Sequence, residues 1–125
     1  MTDDSKKYTI PCPEVVLCVE FSPYEASCQL LAVSTSTRVT VFSCRFEEED
    51  ADVDGIEYTQ IRDFQTENQT STIAWNPETS LSVLPKFLSF ATAELDVKDH
   101  HLRLFTSNLK EDESVLRGTR HTAIL

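Results

Sequence analysis

The sequence predicts an all-β fold made of two repeated sheets, and three observations carry that reading. Val19-Glu20-Phe21-Ser22-Pro23 and Ile73-Ala74-Trp75-Asn76-Pro77 share one pattern: apolar, variable, aromatic, small, proline. Each copy is followed by a small-residue apolar run, Leu30 to Thr35 or Phe87 to Ala93, then by a basic-and-apolar alternation ending at Phe42 or Phe105. No segment sustains a helical period of roughly 3.6 residues beyond about two turns, so helix has nowhere to form. Self-similarity over tens of residues, with several short strands per copy, marks a β-propeller, whose blades take about 40 to 45 residues before loop insertions. Two copies predict two blades, an incomplete propeller.

Residues 1–14 are polar and contain Pro11 and Pro13, which makes them a lead-in that turns into strand near Val15. Val15 to Phe21 is the first strand, its near-continuous apolar run fitting a strand covered on both faces. Ser22 to Glu25 turns the chain, Gln29 to Ser34 forms the second strand, and Arg38 to Phe46 the third, with Val39, Val41 and Ser43 on one side. Glu47 to Asp54 then places six carboxylates in eight residues, too much like-charge repulsion for a paired strand. A solvated loop closed by Gly55 is expected there. Ile56 to Phe64 alternates as a fourth strand and Gln65 to Ser71 is a polar crossing. The second copy repeats the order, with strands at Thr72 to Trp75, Lys86 to Ala93, Leu102 to Thr106 and a short Ser114 to Arg117. The domain reading is a lead-in over 1–14, a first blade over 15–71 with its acidic loop at 47–54, a second blade over 72–118 and a divergent tail over 119–125.

Charge narrows the function classes. With 125 residues and a net charge of −10, the chain has the wrong sign for binding nucleic acid through phosphates or an anionic membrane leaflet. No apolar stretch reaches the roughly 20 residues of a transmembrane helix, and Met1 to Lys7 lacks an apolar signal core. A nuclear or cytosolic protein with protein partners, no direct nucleic acid and no membrane insertion is expected. Cys12, Cys18, Cys28 and Cys44 form no C-x-x-C pair and sit on strand-like segments, which reads as buried free thiols rather than disulfides or a zinc site.

Motifs for chemistry are thin. Asp50-Ala51-Asp52-Val53-Asp54-Gly55 copies the first half of a calcium-binding EF-hand loop, but the twelfth position, which needs a bidentate Glu, is Ile61, and a strand precedes it instead of a helix. A calcium-responsive binding protein acting through Asp50, Asp52 and Asp54 is therefore the weaker reading beside a solvated loop. His100 and His101 lie beside Asp96 and Asp99, yet neighbouring side chains on a strand point apart, which favours a surface hairpin loop. Asn68-Gln69-Thr70 fits a glycosylation acceptor without a secretory route to use it. Absent G-x-S-x-G, P-loop and H-E-x-x-H patterns leave no active site, so neither enzyme activity nor a cofactor is expected. Phe21, Phe42, Trp75 and Phe105 read as core aromatics. Phe42 and Phe105 stand where WD repeats place their Trp, with only Asp96 resembling the turn aspartate, so these are degenerate WD40-type repeats lacking the usual hydrogen-bonded tetrad. A WD-repeat adaptor of another assembly remains an alternative on these repeats alone.

Phe46 to Tyr58, Ile73 to Thr79, Leu84-Pro85 and Arg103 to Leu109 together resemble the N-terminal third of the thirty-seven-kilodalton nucleoporin family, over about residues 8 to 118. That resemblance implies a WD40-type propeller acting as a structural scaffold in the Y-shaped complex of the nuclear pore outer rings. It implies other nucleoporins as partners, chiefly the largest solenoid subunit, with the pore and nuclear envelope as location, roles in pore assembly and transport, and kinetochore association in mitosis. The acidic residues Glu47, Glu48, Glu49, Asp50, Asp52 and Asp54 are the candidate partner contact. The sequence departs from the family at Ser34 to Thr37, at Lys98 to His101 and after Gly118, where the family continues with a Gly-His pair and further blades. A shortened member is therefore expected, poorly stable alone because an incomplete ring leaves an apolar face and a strand edge open.

Overall fold

A computed structural model of the chain describes residues 7–66, 68–82, 86–95, 100–109 and 119–124. Among them run eight strands: β1 (Val16–Phe21), β2 (Leu30–Thr35), β3 (Arg38–Phe46), β4 (Ile56–Gln65), β5 (Gln69–Trp75), β6 (Leu88–Leu95), β7 (His100–Ser107) and β8 (Thr119–Ile124). Among the described residues a 3-10 turn at Glu25–Ser27 interrupts this all-β pattern. The strands form two four-stranded antiparallel meanders, β1-β2-β3-β4 and β5-β6-β7-β8, each with the topology of a propeller blade.

The repeat seen in sequence is also a repeat in hydrogen bonding. Just after the aromatic of each motif, the Ser22 amide donates to the Leu30 carbonyl at 2.9 Å and the Asn76 amide donates to the Ser89 carbonyl at 3.0 Å. In register, Phe21 pairs with Leu31 and Leu31 with Phe42, as Trp75 pairs with Phe90 and Phe90 with Phe105. Residues paired across a ladder share a face, so each sheet carries an aromatic-rich face and, opposite it, a face of smaller aliphatic residues.

The core forms where the small face of the first sheet meets the aromatic face of the second. Leu30, Ala32, Val39, Val41 and Phe64 from one side and Ile73, Trp75, Leu88, Phe90 and Phe105 from the other make one buried cluster. Phe90 lies at its centre, with ring centroids 5.1 Å from Phe64, 5.2 Å from Phe105 and 5.7 Å from Trp75. The Trp75 indole nitrogen donates to the Glu20 carbonyl at 3.0 Å, tying β5 to β1 without stranding a buried donor.

Several expectations need correction. Gln65 to Ser71 is not wholly a crossing, because β4 runs through Gln65 and β5 starts at Gln69; Thr70 is buried and the Ser71 hydroxyl donates to the Ala93 carbonyl at 3.1 Å, which extends the ladder. His100 and His101 begin β7 rather than forming a hairpin loop. The last strand of the second sheet is Thr119–Ile124, inside the segment read as a tail, since β7 needs an antiparallel partner and Thr106 pairs with Thr119. Ser114 to Arg117, Asp96 and Asp99 lie outside the described residues. Phe21 is not a core residue: it is 44% exposed, because among the described residues no sheet packs on its face, and the Phe46 ring lies 6.1 Å from it. For the same reason β1 is exposed rather than covered on both faces, with Val16, Leu17 and Val19 open to solvent. The cysteines are all free, but only Cys44 is buried; Cys12 and Cys18 are half-buried and Cys28 is exposed.

Candidate protein-interaction surface

The acidic loop is a folded turn. Its ends are joined by the Glu47 amide donating to the Gly55 carbonyl at 2.9 Å, and the Gly55 amide returns a bond to Glu47 Oε2 at 3.1 Å. Gly55 adopts φ of 78°, a left-handed conformation that glycine enters without steric cost. Val53, 5% exposed, points its side chain inward while the charged residues around it face out.

Three of the six carboxylates are committed within the molecule. Asp50 accepts from Arg45 and from the Asp52 amide at 3.0 Å, and the bond from Arg45 holds its carboxyl below the usual carboxylate range. Arg45 also bonds Glu57 at 3.0 Å, so one guanidinium ties the loop to β4. Glu47 and Glu48 both accept from the Tyr8 hydroxyl. Glu49, Asp52 and Asp54 are exposed on the outer side of the turn, which makes them the part of the predicted contact that faces outward. With Asp50 turned onto Arg45 and the loop's own backbone, the carboxylates do not converge; among the described residues no group of three or more His, Cys, Asp or Glu could hold a metal ion. Raising calcium to about 1 mM is therefore expected to leave the melting temperature unchanged, and a saturable upward shift would contradict this.

The lead-in contributes more than sequence reasoning assigned to it. Ile10 and Cys12 pack against the aromatic face of the first sheet, where Leu31, Val33, Phe42 and Cys44 form a second buried cluster with Phe46 and Ile56. Burial there pushes the Cys44 thiol pKa up, so it stays a neutral packing group. At the far end of the lead-in, Glu14 accepts from Thr35 and Thr37 hydroxyls, each at 2.9 Å, and from Ser36 at 3.3 Å, with Arg38 3.5 Å away. Bonds from Thr37 and Thr35 hold the Glu14 carboxyl below its ordinary value. A depressed folded pKa stabilises the fold above the unfolded carboxyl's pKa and loses that contribution as pH falls through the folded value. Glu14→Gln is thus expected to lower urea midpoints near neutral pH, with the gap to the parent chain closing in acid; a gap constant with pH would contradict it.

Glu94, and with it the role of Arg103 as its partner, escaped the sequence reading. Glu94, on β6, is 1% exposed and its carboxylate lies 2.6 Å from Arg103 Nε on β7; it also accepts from the Asn68 amide at 3.3 Å. The available signal was register: Thr92 pairs with Arg103, placing Glu94 on the same face one step away. Exposed apolar side chains lie on β1, at Val16, Leu17, Val19 and Phe21, and on the outer face of the second sheet, at Leu102 and Leu104 of β7.

The described surface thus combines a charged turn with exposed apolar side chains on β1 and β7. Among the described residues no helix is long and apolar enough to cross a membrane. No family model matches the chain. It is 42% identical over 115 residues to Nucleoporin Nup37 of Mus musculus and to Nucleoporin Nup37 of Homo sapiens. The match takes in 89% of this chain and 34% of each of those proteins, so the chain spans about a third of the length of the curated relatives it matches. Across nearly all of its own sequence, the chain is similar to the Nup37 nucleoporins.

Proposed function

We propose that the chain is a structural component of the nuclear pore that works by binding other nucleoporins and catalyses no reaction. The observation that carries this reading is its 42% identity to two Nup37 proteins over 89% of its length, together with a blade-type fold. In finer terms, the reading places it in the Y-shaped scaffold of the outer rings, docked chiefly on the largest solenoid subunit. It serves pore assembly and transport there, and accompanies the complex to kinetochores in mitosis. Glu49, Asp52 and Asp54 supply an outward-facing acidic contact, and Glu47, Glu48 and Asp50 shape the turn that presents them. An acidic contact of this sort steers association and gives it salt dependence more than affinity.

Affinity capture of the tagged chain from cells tests the proposal. Outer-ring nucleoporins should co-purify at low ionic strength, and the triple change Glu49→Gln, Asp52→Asn, Asp54→Asn should weaken that recovery several-fold at low salt but little at high salt. Recovery of no outer-ring nucleoporin would sink the functional reading; equal recovery with the triple variant would remove the acidic contact alone.

A further inference from the structure

Residues 8–12 lie along the first sheet as an extended strap that joins no strand ladder. Ile10 and Cys12 cover the Leu31, Val33, Phe42 and Cys44 cluster, and Tyr8 fixes the outer end. Its ring sits 5.5 Å from that of Phe46, and its hydroxyl donates to Glu48 and, at 3.4 Å, to Glu47. That hydrogen bond to Glu48 pushes the phenol's pKa up, which keeps the group neutral at physiological pH. The strap is therefore held at this end by a neutral donor lodged between two acids. A phosphate on the same oxygen would bring about two negative charges against them and remove the donor.

We propose that Tyr8 is a tyrosine phosphorylation site and that its modification releases the strap from the first sheet. In the transfer, Tyr8 Oη bonds to the γ-phosphorus of a nucleoside triphosphate held by a protein tyrosine kinase. The bond from that phosphorus to the β,γ-bridging oxygen breaks, the phenolic proton passes to the kinase's base, and nucleoside diphosphate leaves. The strap suits such an enzyme because it is extended and unpaired, with Lys7, Thr9 and Pro11 exposed around the half-buried tyrosine. Tyr58, by contrast, is held in the β3–β4 ladder opposite Cys44. The face uncovered by release corresponds in register to the Trp75, Phe90 and Phe105 face of the second sheet, which packs on small aliphatic side chains. Its complement is accordingly another β-sheet face of small aliphatic residues, and phosphorylation controls when that face becomes available.

The cysteines report the release. The full chain would be prepared by semisynthesis with phosphotyrosine at position 8, alkylated briefly with iodoacetamide beside the unmodified chain, and mapped by peptide mass. Cys44 and Cys12, beneath and within the strap, should react on the order of tenfold faster, since local opening governs their exposure. Cys18, which packs toward the second sheet, should keep its rate. Unchanged reaction at Cys44, or a matching rise at Cys18, would overturn the release. Tyr8→Phe, which retains the ring contact without the hydroxyl, should accelerate Cys44 by far less than the phosphate does. In a Tyr24→Phe, Tyr58→Phe chain, a purified tyrosine kinase should place phosphate on Tyr8; failure to label it would overturn the site.

Discussion

Phe90→Ala is expected to destabilise the chain by about 3–5 kcal/mol, the range for removing a large aromatic from a core that cannot collapse around the gap. Phe90 is fully buried and in ring contact with Phe64, Trp75 and Phe105, so the substitution opens a cavity at the centre of the core shared by the two sheets. Total stability for a domain is about 5–15 kcal/mol, and losing roughly a fifth or more of it should be plain in the urea midpoint. Leu104→Ala provides the contrast: its side chain is exposed on the outer face of the second sheet and should cost under about 1 kcal/mol. Equal effects at the two positions would mean that the inter-sheet core does not hold the fold together.

The second large effect belongs to the buried ion pair. Glu94→Ala should cost about 3–5 kcal/mol, because it leaves the Arg103 guanidinium in a site where water cannot replace the lost carboxylate. Replacing both partners with apolar residues of similar size, Glu94→Leu with Arg103→Met, should recover most of that loss, since burying two charges brings a desolvation cost that their attraction only offsets. Urea unfolding of the two singles and the double gives the coupling energy. A double variant as unstable as the sum of the singles would show that the two side chains act independently.

Much of the fold was legible because its signals were local and periodic. The strand Arg38–Phe46 matches its predicted bounds, since Val39 and Val41 on one face and Phe42 and Cys44 on the other follow the two-residue period up to the acidic run. The Phe21 and Trp75 motifs marked the same turn in both sheets, and the same hydrogen bond follows each. What the motif could not reveal was which copy is covered. Trp75 packs against the first sheet, while the equivalent Phe21 has no such neighbour, and burial depends on that long-range fact rather than on the residue. Thr119–Ile124 was misread as a tail because no apolar alternation marks it; its partner β7 recruits it through backbone bonds. In the interaction surface, the turn at 47–54 was evident from its charge, but its internal order was not. Tyr8 and Glu14 reach groups 40 and 23 residues away in sequence, contacts that no spacing rule encodes, while Arg45 reaches Asp50 and Glu57 across the turn.

Proximity labelling in cells most directly tests the central claim that this two-sheet unit is a working pore component. A biotin ligase fused to the chain is predicted to give a nuclear-rim signal and to label outer-ring nucleoporins, while the Phe90→Ala fusion, with its inter-sheet core broken, loses both. A diffuse signal with no outer-ring nucleoporin enriched for the parent chain, or full enrichment retained by a demonstrably unfolded Phe90→Ala chain, would contradict the account.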